Sequence, residues 1–258
     1  MKRLLMFTVA LLPAYGAASA QDSRDIRVRV GLGAQLQPEF IGADETRLGP
    51  LFHINFARGS DQFRFVAPDD HVGVSLVSVD GFSLGPVVNI RPKRTPGDVG
   101  APVARVPRTF EAGAFVQYQA GNSFRVRADL LKGLGGHDGL VGSIGVDRIW
   151  RDGDSYVFSI GPRILFSDAR FQRAYFGVTP AVSLASGLPA YRPGGGVHAV
   201  ALATGLSYEF NRRWGVFAYA RYARLVGDAA KSPIVRQLGS RNQLSGGIGL
   251  NYVFTIRR

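Results

Sequence analysis

From Ile26 to the end of the chain, apolar residues recur at every second position over segments of about ten to fourteen residues. That period belongs to strands with two unlike faces. No apolar run approaches the roughly 18 residues that a membrane helix needs, so if this chain crosses a bilayer it crosses as strands. The last segment is the clearest: Leu244, Ile248, Leu250, Tyr252, Phe254 and Ile256 share one face, and Gln243, Ser245, Gly247, Gly249 and Asn251 share the other. Segments 82–91, 123–132 and 197–210 repeat the scheme, with Arg125, Arg127 and Asp129 opposite Phe124, Val126, Ala128 and Leu130 in the second of them.

A soluble β-sandwich also alternates. Two features decide against it. Strands of globular proteins average about five or six residues, whereas a strand tilted by about 45° needs about 9–11 to cross a bilayer. Aromatics also gather at strand ends, with Phe110 and Tyr118, Tyr156 and Phe166, and Trp214 and Tyr222 as pairs, and Trp150 closing its own strand. Their spacing corresponds to roughly 19–23 Å along a tilted strand, near the separation of two interfacial girdles. The opposite faces are small, polar or charged, as a lumen requires. The expected fold is therefore all-β: a transmembrane, antiparallel, up-and-down β-barrel, closed because an unpaired backbone edge is costly in hydrocarbon. Glycine, 33 of 258 residues against a usual share of about 7%, fits a narrow barrel that must curve and seat bulky lumen side chains.

Lys2 and Arg3, the apolar stretch Leu4 to Leu12 and the small residues Ala18-Ser19-Ala20 predict a cleaved signal peptide over 1–20, with the barrel over 21–258. Export turns the formal net charge of +12 away from nucleic acid. The absence of cysteine excludes a disulfide framework.

Twelve strands are predicted, at 26–37, 47–57, 62–67, 71–79, 82–91, 109–120, 123–133, 139–151, 155–166, 197–210, 213–225 and 243–255. The alternative is ten, without the two short segments that Pro68-Asp69-Asp70 joins as an outer loop. With both termini periplasmic, the short turns fall at 58–61, 80–81, 121–122, 152–154 and 211–212, and the long loops face outward. Thr179-Pro180 reads as an N-cap followed by proline at the first helical position, giving a short helix to about Ser186 that Gly187 ends.

Several blocks resemble the MipA/OmpV family of outer-membrane proteins: Val30-Gly31-Leu32-Gly33, Pro38 to Asp44, Thr109 to Phe115, Tyr175 to Pro180, Ser186 to Tyr191, and above all Tyr222 to Val235. The resemblance implies a scaffold or interaction protein for murein remodelling enzymes, with a lytic transglycosylase and a bifunctional penicillin-binding protein as partners. It brings no catalytic residues.

Chemistry-bearing motifs are sparse. His53, His71, His137 and His198 lack metal-ligand spacing, and neither a metal site nor a cofactor is expected. Val141-Gly142-Ser143-Ile144-Gly145 has valine where a nucleophile elbow needs glycine. His53 and Ser75 both fall on lumen faces, and would have to meet for the remote alternative, a lipid-modifying barrel enzyme. The expectation is that the chain is not an enzyme. Arg27, Arg29, Arg91, Arg125, Arg127, Arg163 and Arg221 face the lumen together with Glu111, Asp129, Asp147 and Glu209. That set reads as an internal ion-pair lattice or, alternatively, as the lining of a small-solute or anion channel. A second cationic group, Arg91, Lys93, Arg94, Arg105 and Arg108, brackets an outer loop at the height of lipopolysaccharide phosphates. Expected partners are thus outer-membrane lipid and lipopolysaccharide, the two murein enzymes, and no nucleic acid.

Overall fold

The computed structural model describes residues 25–257; the expected signal peptide lies outside the described residues. Among them, twelve strands form one antiparallel sheet. The strands are β1 (Ile26–Pro38), β2 (Thr46–Arg58), β3 (Val72–Gly73), β4 (Val77–Val79), β5 (Phe82–Arg91), β6 (Thr109–Ala120), β7 (Phe124–Leu134), β8 (Leu140–Asp152), β9 (Tyr156–Ser167), β10 (Gly196–Glu209), β11 (Trp214–Leu225) and β12 (Asn242–Ile256). Five short helices sit in the long connections: α1 (Pro96–Val99), α2 (Ala169–Phe176), α3 (Pro180–Ser186), α4 (Gly227–Lys231) and α5 (Pro233–Gln237).

Each of β5 to β12 pairs with its neighbour in sequence, and β1 pairs β12 from Ile26↔Ile256 to Leu36↔Gly246, so the first and last strands join. The wall has its free edges elsewhere. β2 pairs only β1, while β3 and β4 both pair β5, leaving a seam between β2 and β3–β4. The expected total of twelve is met by a different route from the one the sequence suggests. Residues 62–67 form no strand, and the segment expected at 71–79 is broken into β3 and β4. Phe63, Phe65 and Ala67 alternate as a strand would, but they are buried inside the barrel, not in its wall.

The two faces of the wall separate as their residue types require. Outward stand Leu32, Phe52, Ile54, Ile90, Leu130, Leu202, Ile248 and Leu250, all well exposed. Aromatics cluster at the end carrying the short turns, where Trp150 packs on Phe158 and Trp214 on Tyr252. All five helices lie at the opposite end. There Phe40, Ala43, Val99, Val103, Val178, Leu188 and Ile234 form one buried cluster, and Phe171, Tyr175 and Phe176 join lumen residues Phe115 and Leu131 in another. The long loops are therefore a packed cap. α3 has the ends the sequence predicts: the Thr179 side chain accepts from Val182 N–H, and Gly187 closes it at φ 74°.

An apolar outer face predicts a particular response to charge. Leu202→Arg, midway along β10, is expected to cost about 2–4 kcal/mol when unfolding is followed by urea titration in lipid vesicles. The same change on the surface of a soluble protein would stay within about 0.5 kcal/mol.

Candidate functional site

Most of the charged residues that period two turns inward on β7, β8, β9 and β11 meet in one lattice. Asp147 of β8 accepts from Arg125 Nη2 at 2.7 Å and from Arg163 Nη2 at 2.6 Å, linking β7 to β9. Asp129 accepts from Arg127 at 2.8 Å. The pairs are almost entirely buried, with Arg125 and Asp147 each 1% exposed. Burial of this kind is tolerable only where each charge has a partner and its hydrogen bonds. Glycine makes room for it: a Cβ at Gly145 would lie 2.6 Å from Arg163 Cδ, and one at Gly161 would lie 2.7 Å from Asp147 Oδ1.

The lattice is completed by residues that the sequence places outside it. Pro68-Asp69-Asp70 is not an outer loop. It is a tight turn held in the lumen, with Ala67 N–H donating to Asp70 Oδ2 at 2.9 Å. Asp69 accepts from Arg163 at 3.0 Å and stands 3.4 Å from Arg221. Asp70 takes a bidentate pair from Arg125 and lies 3.8 Å from Arg127. Pro68 rests against β10, where a Cβ at Gly205 would lie 2.6 Å from its Cγ. The approach to the turn is anchored too: Phe63 N–H donates to Asp154 at 2.9 Å, Arg29 lies 4.0 Å over the Phe63 ring, and Arg125 lies 4.8 Å over that of Phe65. Nearer the turn end, Arg29 pairs with Glu209, and Arg27 with Asp154.

A second node sits beneath the cap. Glu111 accepts from Arg91 Nε at 2.7 Å, Asn89 at 2.6 Å and His137 Nε2 at 2.8 Å. Gly139 N–H donates to His137 Nδ1 at 3.0 Å, which leaves Nε2 as the donor to the carboxylate. Arg94, expected to face phosphate, points inward instead. It is 1% exposed and donates to the carbonyls of Tyr175, Ala104 and Ala174, and burial pulls its guanidinium down to about 10. Of the expected outer cationic group, Lys93, Arg105 and Arg108 remain exposed.

His53 and Ser75 are not brought together. The His53 ring lies 5.5 Å from that of Phe217, and Ser75 falls between β3 and β4. The serine and histidine that do meet are Ser167 and His198, 3.0 Å apart where β9 and β10 enter the cap, and both are buried. Among the described residues no group of three or more His, Cys, Asp or Glu is placed to hold a metal ion.

Four of the six blocks that carry the family resemblance meet in the cap, while Val30 to Gly33 lies in β1 and Thr109 to Phe115 in β6. Val178 and Tyr191 exchange backbone hydrogen bonds, Tyr191 OH donates to the Asp228 carbonyl at 2.9 Å, and Ser232 Oγ donates to the Phe176 carbonyl at 2.8 Å. A family model described as MltA-interacting protein MipA matches residues 30–254. No curated protein matches the chain. Among solved structures it is similar to the KdgM porin (9% identity, 89% of this chain and 99% of that chain, TM-score 0.39). It is also similar to OmpF of Salmonella typhi in a complex with daunomycin (10%, 90% and 98%, TM-score 0.41) and to OmpT of Vibrio cholerae (9%, 89% and 97%, TM-score 0.36). At that level of superposition these likenesses bear on neither ligand nor partner.

Asp147→Ala, which strips one carboxylate from two buried arginines, is expected to cost about 3–5 kcal/mol of barrel stability. Asp154→Ala, whose partner Arg27 is a quarter exposed, is expected to cost less. Denaturant midpoints of the two variants in detergent, measured side by side, check the order.

Proposed function

The chain belongs to the MipA family of outer-membrane barrel proteins, and from that premise we propose that it is an interaction protein for murein remodelling enzymes. The observation that carries this reading is the family match over residues 30–254. Its partners are then a lytic transglycosylase and a penicillin-binding synthase, docked at the end of the barrel that carries the short turns and both termini. That end faces the periplasm, where murein lies.

The geometry is compatible with a docking role. The periplasmic rim carries exposed Arg58, Arg212, Arg213 and Arg257 interleaved with exposed Asp61, Asp80 and Asp152, a border of both charges for a polar partner surface. The lumen is occupied by residues 62–70 and by the cap, which fits a docking body better than a permanently open anion channel. A catalytic role is not part of the proposal. Ser167 and His198 are sealed beneath the cap, and among the described residues His198 has no carboxylate hydrogen-bonded to its ring. At the outer end, Lys93, Arg105 and Arg108 are placed to meet lipopolysaccharide phosphates.

Photo-crosslinkers at Asn122 and Asp80, on periplasmic turns, are expected to capture a murein hydrolase or synthase identified by mass spectrometry. A crosslinker at Leu184 on the outer cap is expected to capture neither. Recovery of no murein enzyme from either turn position would sink the reading.

A further inference from the structure

We propose that the arginine cradle in the lumen is a binding site for an acidic peptide with adjacent carboxylates, and that Asp69 and Asp70 occupy it as the chain's own resting ligand. This goes beyond the interaction role and depends on it only for placing the turn end in the periplasm.

The cradle belongs to the wall, and its occupant does not. Arg125 and Arg127 of β7, Arg163 of β9 and Arg221 of β11 converge on the turn, while the wall supplies them with Asp129 and Asp147. Four guanidiniums against two carboxylates leave two positive charges, which Asp69 and Asp70 match. Asp147 holds the planes of Arg125 and Arg163 and Asp129 that of Arg127 without help from the turn, so three of the four guanidiniums are pre-organised for a carboxylate ligand, while Arg221 is paired with Asp69 alone.

The occupant also has a place to go. Residues 61–67 make no strand pairing where they lie. They follow β2 and precede β3, so in the wall they would run antiparallel to both edges of the seam. Their alternation suits that slot, with Phe63, Phe65 and Ala67 on one face and Gln62 and Arg64 on the other. Edge N–H and C=O groups facing hydrocarbon lack partners, so filling the seam would satisfy them and offset the ion pairs lost from the lumen. The segment already spans the gap from inside: Asn55 of β2 donates to the Arg64 carbonyl at 2.8 Å, and Arg64 donates to Ser78 of β4 at 3.3 Å.

A route in is present at the turn end. A cavity of about 530 Å³ opens there, lined by Arg64 and Asp80, by Ser83 and Gln117, and by the rings of Phe82 and Tyr118. Its lining mixes polar, charged and aromatic groups, and among the ion pairs of the described residues Arg64 has no carboxylate. Gln117, in that lining, accepts from Arg127 at 3.3 Å, so the cavity borders the cradle.

The test uses the purified full-length barrel in detergent and the acetylated, amidated peptide Ala-Pro-Asp-Asp-His, which copies residues 67–71. Asp69→Asn with Asp70→Asn is expected to bind this peptide at least 10-fold more tightly than the wild type, and the Asn-Asn peptide is expected not to bind. Equal affinity for both proteins, or binding indifferent to the carboxylates, overturns the proposal. A second variant keeps the aspartates. Pro68→Cys with Gly205→Cys, in a chain without other cysteines, should form a disulfide across the observed contact. Peptide binding is expected with reductant and lost on oxidation; no binding at millimolar peptide in the reduced form also overturns it. A soluble muropeptide as a parallel arm separates the sources. Tighter binding of the muropeptide assigns the site to murein stem carboxylates, and tighter binding of the linear peptide assigns it to a partner protein's acidic segment. The assay contains no murein enzyme, so its failure leaves the docking role to be judged separately.

Discussion

Arginines facing one another across a lumen repel, and the wall of this protein can curl around them only because carboxylates stand between them. Asp147 is the centre of that arrangement, joining Arg125 to Arg163 with both oxygens used. The pairs form at low exposure, where Coulomb attraction is strong and desolvation is severe, so every member is needed to satisfy the others. Much else follows from this constraint. It favours glycine at 145, where a β-carbon would lie 2.6 Å from Arg163 Cδ, whereas at 161 the Val146 carbonyl of the neighbouring strand excludes one by itself. It also draws in Asp69 and Asp70, since the wall alone supplies too few carboxylates for the cradle.

The inward fold of residues 61–70 sets two environments against each other. In the lumen, Phe63 and Phe65 lie under guanidiniums and the turn completes the ion pairs. In the wall, the same residues would present an apolar face to lipid and hydrogen-bond two open edges. A segment that alternates cleanly satisfies both demands, which is why its sequence does not distinguish them. The structure resolves the competition toward charge neutralisation and leaves a seam beside β2.

That competition marks the limit of what the sequence reveals. Long strands such as β10 and β12 are legible because lipid outside and polar groups inside impose opposite demands on successive residues. α3 is legible because Thr179, Pro180 and Gly187 encode its ends locally. α1, α4 and α5 are four or five residues long, too short for any periodicity, and their place depends on packing in the cap. The Arg94 side chain could not be placed from its neighbours, since Tyr175 and Ala174, whose carbonyls it binds, lie some eighty residues away in sequence. Ser167 and His198 meet for the same kind of reason, through the pairing of β9 with β10, whereas His53 and Ser75 share only a lumen-facing parity.

The residues that carry the family resemblance say more about folding than about partners. Phe40 and Ala43, Val178, Leu188 and Ile234 come from four separate blocks and form one buried cluster. Ala229, Ala230 and Val235, from the block Tyr222 to Val235, pack with Phe171 and Phe176 above the lumen. Side chains buried against one another are unavailable to a second protein, so these blocks encode the closing of the outer end. A periplasmic partner of the kind proposed would have to read the opposite rim, where the turns are short and carry Asp, Asn, Gly and Arg. Recognition there would have to come from charge and hydrogen bonding, because the short turns offer little apolar surface beyond the strands' outward band. The division between a packed cap at one end and a polar rim at the other follows from where the long and short connections fall, and the proposed docking role depends on it.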